Sequence, residues 1–453
     1  MRSFVLASVV ALMASGSVAC RSQQGLRTQY TQMRPQMVRG EWGAAASALE
    51  ASKDKAYKEE DRVMYWLNLG TLYHYAGDYQ KSNKNFVAAE AEMQKLWTTS
   101  ISSEATKFIV SETVQDYGGE EFEKILLYFF TALNAVEQGR IDDALVEARR
   151  ADEFLKKMQV HYEKEAGDDG KAVGLLYKQD AFILWLVGLF YEMEGSHNDA
   201  HLAYKAALRA YDKEYAGKFG TPAPQYLKED VVRSAYLAGM TADADELKGR
   251  LQVAGDTYEK LNSGMSELIV FHGAGEAPSK KDLFIDGRMP DGYVMRIAIP
   301  KFEARPFRIT KAKVTAAGAS STTVMAEPIT TIALRNFEHR LPAIKARAIA
   351  RAIVKYVATK GTSKAVSGGK DSSTGRKVAG ALIGLIGNVA SAASEHADLR
   401  AWTTLPAAIG VTRMWVPAGQ HSVQIDFVGG GARTIPVQVA AGERKIISLR
   451  TLQ

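Results

Sequence analysis

Residues 63–96 read VMYWLNLGTLYHYAGDYQKSNKNFVAAEAEMQKL. Trp66, Leu69, Gly70 and Tyr73 fall at helical spacing, and Gly77-Asp78 then interrupts the pattern. Tyr79, Phe86 and Ala89 follow at the spacing of a second helix. The pattern predicts two antiparallel helices joined by a tight turn. Gly70 and Ala89 are small where the two helices approach closely, and the aromatic residues fill the gaps to neighbouring hairpins. One such hairpin buries too little surface to stand alone, so several must stack.

The spacing W-x2-L-G-x2-Y resembles the signature of the tetratricopeptide repeat. Related turns recur along the first half. Gly40-Glu41-Trp42 leads into Ala45 and Leu49, and Gly139-Arg140-Ile141 into Ala144, Ala148 and Ala151. Gly195 leads into Ala200, Tyr204 and Ala207, preceded by Gly188 and Tyr191. Segments near 97–122 and 157–178 interrupt the array, and a degenerate helical stretch over 225–262 caps it. The resemblance implies a curved face that takes a protein partner.

From about residue 264 the period shortens to two. ELIVFHG (267–273), YVMRIAIP (293–300), FRITKAKVTAA (307–317) and STTVMAEP (321–328) read as strands. At the C-terminus GVTRMWVP, HSVQIDFVG, RTIPVQVAAG and RKIISLR alternate between Gly-rich turns, which predicts a small antiparallel sandwich. Residues 416–453 resemble the last strands of PEGA-type domains of bacterial envelope proteins. Two helices interrupt the strands. In 336–360, Leu341, Ile344, Ala348, Ala352 and Tyr356 form an apolar stripe, with Arg347, Arg351 and Lys355 on another face. This is the pattern of a packed helix with a solvated side. The apolar run 378–394 is too short to span a bilayer and reads as a packed core helix. The expected fold is α+β and multidomain: an N-terminal α-helical tetratricopeptide-like solenoid over 20–262, then a β-rich, sandwich-like domain over 263–453 with two inserted helices at about 336–395.

Residues 1–19 read as a signal peptide: Arg2 precedes the apolar run Phe4–Met13, and small residues follow. Cys20 comes next and is the only cysteine among 453 residues. Ser17-Val18-Ala19-Cys20 resembles the lipobox of bacterial lipoproteins, which implies acylation of the Cys20 thiol and attachment to a membrane. Arg21 follows where an inner-membrane retention signal favours Asp, which by resemblance implies a bacterial outer-membrane location facing the periplasm. The formal net charge is +6, and Arg2 is the one charge in residues 1–19, so their removal leaves +5. With charges of both signs mixed along the chain, no nucleic-acid partner is expected.

Residues 395–421 carry Asp398, Arg400, Trp402, Leu405 and Pro406, then Pro417 and Gly419. With the lipobox and repeats, they resemble a family of bacterial outer-membrane lipoproteins that have a tetratricopeptide half and a β-rich half with a PEGA-like ending. Members tend to accompany lipoproteins that activate peptidoglycan synthases. Asp398 and Arg400 stand at strand spacing, suited to a same-face ion pair.

Three patterns bear on chemistry. Ser367-Gly368-Gly369-Lys370-Asp371-Ser372 matches the phosphate loop of ATP pyrophosphatases, but only Ala365 and Val366 precede it where a core strand is needed. It reads as a linker between the two helices. His197 and His201 lack a third ligand and read as packing or exposed residues, so no metal is expected. Glu120, Glu121 and Glu123 follow Gly118-Gly119 and read as a solvated acidic helix start. No catalytic residues and no cofactor are expected. The leading expectation is a lipid-anchored periplasmic scaffold that binds a protein partner on its repeats. An ATP-using enzyme working through 367–372 and a structural subunit of an envelope or surface assembly are the alternatives.

Overall fold

The structure, a computed structural model, describes residues 26, 28–102, 115–165, 176–254, 256–289, 292–367 and 396–453. Helices α1 (28–38) and α2 (Trp42–Ala51) form the first hairpin. The next three are α3 (Arg62–Ala76) with α4 (Tyr79–Ser102), α5 (Glu121–Glu137) with α6 (Ile141–Glu165), and α7 (Ala181–Glu194) with α8 (His197–Ala210). Helices α9 (Gln225–Leu237) and α10 (Thr241–Leu251) make the last, and the short α11 (Thr257–Asn262) follows. Each hairpin turns on a glycine with positive φ: Gly40, Gly77, Gly139, Gly195 and Gly239. In that left-handed region a side chain clashes with its own backbone, so the glycine ends the helix and reverses the chain.

Helix pairs approach through glycine. A Cβ on Gly70 would lie 2.7 Å from the Phe86 ring, and one on Gly188 would lie 2.5 Å from the ring of Tyr204. The Tyr204 hydroxyl donates to Glu192 at 2.6 Å, which holds that ring in place. Gly188→Ala is therefore expected to cost about 1–3 kcal/mol by overpacking. Gly43→Ala, whose added Cβ would meet no described atom within 4 Å beyond its own helix backbone, serves as the unstrained control. Urea midpoints of the two variants check this; equal midpoints would contradict it.

The described residues of the second half form three sheets. Strands β1 (Ser266–Ala274), β7 (Ala408–Val416) and β10 (Arg444–Thr451) join β6 (Val324–Glu327) in the order β10-β1-β7-β6. A second sheet, β5-β4-β8-β9, is built from β4 (Ala312–Ala316), β5 (Ala319–Thr322), β8 (Gly419–Phe427) and β9 (Ala432–Val439). Strands β2 (Ser279–Arg288) and β3 (Val294–Glu303) form a separate ribbon. The two four-stranded sheets pack as a sandwich through Leu268, Val270, Val314, Met414, Val416, Val423, Ile425, Val439 and Leu449.

Four sequence expectations are corrected here. The sandwich is not wholly antiparallel, because β1 and β10 run parallel. The stretch 307–317 is strand only from Ala312, and β2 was not foreseen. The inserted helix α12 (Ile329–Ser367) begins seven residues before 336. Its Ala348 and Ala352 pack on Ile297 and Ile299 of β3. The run 378–394 lies outside the described residues, as do Cys20 and the signal peptide.

Candidate functional site

The first four-stranded sheet has two buried faces. Alternate residues Ile269 and Phe271 of β1, Ile409 and Val411 of β7, and Ile446 of β10 point away from the sandwich and join the core of the helical array. Phe271 lies against Phe129 of α5 and against Phe182 and Trp185 of α7, with ring centroids 5.7–6.3 Å apart. These belong to the first helices of their hairpins. The face on which a repeat array takes a partner peptide is here covered by the chain's own sheet.

On that same sheet face stand charges. Glu267 is opposite Arg444 in the parallel register, and Arg413 lies beside them. They meet Glu192 of α7 and Asp230 and Arg233 of α9. Arg413 bridges Glu267 at 2.5 Å and Asp230 at 2.7 Å. Arg233 holds Glu192 at 2.7 Å and Asp230 at 2.8 Å, and Arg444 reaches Glu192 at 2.9 Å. The Trp185 indole N–H donates to Asp230 at 2.8 Å. Three guanidiniums and three carboxylates thus balance inside the protein, where an unmatched charge is expensive. The surrounding guanidiniums, Arg233 foremost, hold Glu192 well below the usual carboxylate range despite its burial.

The segment before β7 completes the seam. Trp402 is fully buried between Phe86 of α4 and Phe130 of α5, at centroid distances of 5.8 and 5.6 Å. Its indole N–H donates to Thr71 at 2.8 Å, and its main-chain N–H donates to Glu123 at 2.7 Å. The Thr404 main-chain N–H and hydroxyl both donate to Asn68. Arg400 takes Asp398 in a fork at 2.9 and 2.8 Å, so this pair forms as expected, but outside any strand. The same guanidinium donates to the carbonyls of Glu60 and Gln115 in the repeat half.

The acidic helix start differs from its sequence expectation as well. Glu123 is buried, Glu121 pairs with Arg340 of α12, and Glu120 pairs with Lys280 of β2. They are seam residues and not a solvated face, because three distant segments of the β-rich half close over them. Burial first, then the neighbouring Glu120, pushes the Glu123 carboxyl from 4.5 up to about 7. A carboxyl whose folded pKa is raised stabilises most below its unfolded value, and that stability is lost as pH rises through the folded one. Stability is therefore expected to fall by up to about 3 kcal/mol between about pH 4.5 and 7 from this group. Glu123→Gln should flatten that part of the profile. Denaturation midpoints at pH 5 and 8 check it; an unchanged slope in the variant would contradict it.

The other sequence-derived residues have plain positions. Leu69 and Tyr73 of α3 are buried with Leu72 and Trp42, and Trp66 is half-buried beside them. Phe86 and Ala89 of α4 are in the main core, and Gly77 caps α3. Tyr79 sits edge-on to His74 at 5.8 Å. His201 is buried, facing the carbonyl of Val231 and the Ser234 hydroxyl. Among the described residues no group of three or more His, Cys, Asp or Glu side chains is arranged to hold a metal ion. Ser367 closes α12, and 368–372 of the phosphate-loop match lie outside the described residues. No described helix is long and apolar enough to cross a membrane.

The sequence reading missed Glu192, Asp230, Arg233, Glu267, Arg413 and Arg444. A signal existed for two of them, Glu267 and Arg413. ELIVFHG and VTRMWV each carry a charge on the alternation that otherwise holds apolar residues.

No protein-family model matches the chain, and no curated protein sequence matches it. Among solved structures the chain is similar to the apo form of RapI, with 13% identity over 53% of this chain and 73% of that one, at a TM-score of 0.33. A Podosopora anserina putative kinesin light chain with nearly identical TPR-like repeats aligns with 15% identity over 50% of this chain and 93% of that one, at 0.32. A tetratricopeptide repeat protein from Parabacteroides merdae aligns with 12% identity over 51% and 79%, at 0.25. These likenesses are too weak to carry an argument. The description of the N-terminal half as a tetratricopeptide-like array rests on the hairpins, turn glycines and close-approach positions above.

Proposed function

We propose that the protein is a non-enzymatic scaffold of the bacterial cell envelope. In this reading residues 1–19 are removed and an acylated Cys20 tethers the chain to the outer membrane on its periplasmic side. Protein partners then dock on the outer surface of the repeats, within a machine that serves the cell wall. The supporting observation is the distribution of apolar side chains. The first-helix face is filled from within, while successive second helices carry exposed Val87 on α4, Val146 on α6 and Leu202 on α8. Val146 and Leu202 each stand seven residues after their turn glycine, Gly139 and Gly195. A repeated apolar position on an outer surface is a feature of contact sites more than of bare solvent faces. Fusing the array to a sandwich through a buried seam gives that surface a fixed orientation, which suits a scaffold.

The test is in-cell crosslinking and recovery of the full chain beside the Val146→Asp, Leu202→Asp double variant. The expected result is one or more envelope proteins captured by the wild type and lost with the variant. Capture that is unchanged would overturn the outer-surface assignment. The mass of the N-terminal peptide from membrane-purified protein tests the anchor: a triacylated Cys20 is expected, and an unmodified Cys20 or a retained Met1 would overturn it.

A further inference from the structure

The sheet fills the first-helix face from α3 to α9 but leaves one end open. A cavity of about 460 Å³ remains between α1, α3, the β1–β2 turn and residues 399–403. Its walls include the apolar Leu26, Tyr30, Tyr57, Met64 and Leu399. That volume lies in the range of small-ligand sites. At one end sits Glu276, and the charges around it do not balance. Tyr30 donates to it, and the Arg34 Nε lies 3.1 Å from its Oε2. Arg305, stacked over Tyr30 at 5.0 Å, reaches only 3.8 Å from its Oε1. Arg450 lies behind, with every hydrogen bond spent on main-chain carbonyls. Among the described side chains, three guanidiniums therefore share one carboxylate. Arg34 is substantially solvated, but Arg450 and most of Arg305 are not. Arg305 lines the cavity, and its buried Nη1 has no hydrogen-bond partner among the described residues. Burial pushes both Arg305 and Arg450 below the ordinary arginine range, the mark of positive charge short of a counter-ion.

We infer that this cavity binds a ligand with an apolar body and a single carboxylate, the carboxylate seated on Arg305 beside Glu276 and the body against Tyr30, Tyr57 and Met64. One anion meets the unmatched buried charge, and a guanidinium with free N–H groups suits a carboxylate. The apolar walls favour a hydrocarbon body over a sugar or a nucleotide. The site lies on the covered side of the array, away from Val146 and Leu202, so it is independent of the partner surface proposed above.

The experiment is calorimetric titration of the full mature chain at pH 7 with two carboxylates and their amides. The probes are 4-phenylbutyrate and N-acetyl-Ala-Leu-Leu with a free C-terminus. At least one acid should saturate, with a dissociation constant on the order of 0.1–1 mM for so small a probe. Its amide should bind at least about tenfold more weakly, since the charge-assisted bond is lost. Arg305→Gln should weaken the acid about tenfold while the unliganded variant melts no lower than wild type, because it sheds an unmatched charge. Saturation by phenylbutyrate alone assigns a free small acid; tighter binding of the peptide assigns a chain end. Equal binding of acid and amide, no saturation by either acid, or acid binding that Arg305→Gln leaves unchanged overturns the inference. Partner capture by the outer surface, measured separately, would stand or fall without it.

Discussion

Arg413→Ala is expected to destabilise the protein by about 3–5 kcal/mol, the cost of leaving buried charge uncompensated. The guanidinium is almost wholly buried and touches Glu267 on its own sheet and Asp230 on α9. Removing it leaves three carboxylates against two arginines in a space without solvent. The loss comes mainly from the stranded acids and not from the strength of the pair itself. Asp230 is the more vulnerable, because burial already pushes its carboxyl upward even with Arg413 and Arg233 beside it. The double variant Arg413→Met, Glu267→Met removes one charge of each sign and should recover a good part of the stability. Urea unfolding of the three proteins at pH 7 checks this. A loss under about 1 kcal/mol in Arg413→Ala would place the network at the level of exposed ion pairs and contradict its role as a seam.

Trp402→Ala should cost a similar amount, about 3–5 kcal/mol, through the cavity left between Phe86 and Phe130. Its effect has a second, local part. The ring pins residues 396–407 onto the repeats, and its main-chain N–H satisfies Glu123. Without the ring the segment should open more often than the rest of the fold, so a protease should cut there first. Trp402→Phe keeps most of the packing and loses the indole bond to Thr71, so its cost should be markedly smaller. Limited proteolysis with mass mapping checks the order of cutting. First cleavage elsewhere in Trp402→Ala would contradict the pinning.

What the sequence revealed and what it concealed divides along contact distance. The hairpins were legible because their signals are local: Gly77 ends α3, and Gly70 faces Phe86 sixteen positions on. The alternation of the C-terminal strands was legible for the same reason. The parallel pairing of β1 with β10 was not, since it joins residues far apart in sequence. Strand β2 was missed because SKKDLFIDGR belongs to a largely exposed ribbon: Leu283, Phe284 and Ile285 stand together between charges, with no period-two alternation to read. The start of helix α12 was not legible because the β-branched Ile329-Thr330-Thr331-Ile332 carries little helix propensity. Glu120, Glu121 and Glu123 were misread for a related reason. Their local pattern is that of an exposed helix start, and only Lys280, Arg340 and Trp402, brought from the other half, bury them.

This pattern has a consequence for repeat arrays met as sequences. A repeat signature speaks to the hairpins and their stacking. Whether the face between them is open to a partner depends on what else the chain brings, and here three strands and Trp402 arrive first. The cavity beside α1 exists because that covering stops short.

The repeat array and the inner sheet share one core and should open together. Native-state hydrogen exchange of the full chain across a urea series tests it most directly. The amides of β1 and β7 and those of α5 and α7 should be released with the same free energy and the same urea dependence. Exchange of β1 and β7 at lower urea, with α5 and α7 still protected, would contradict it.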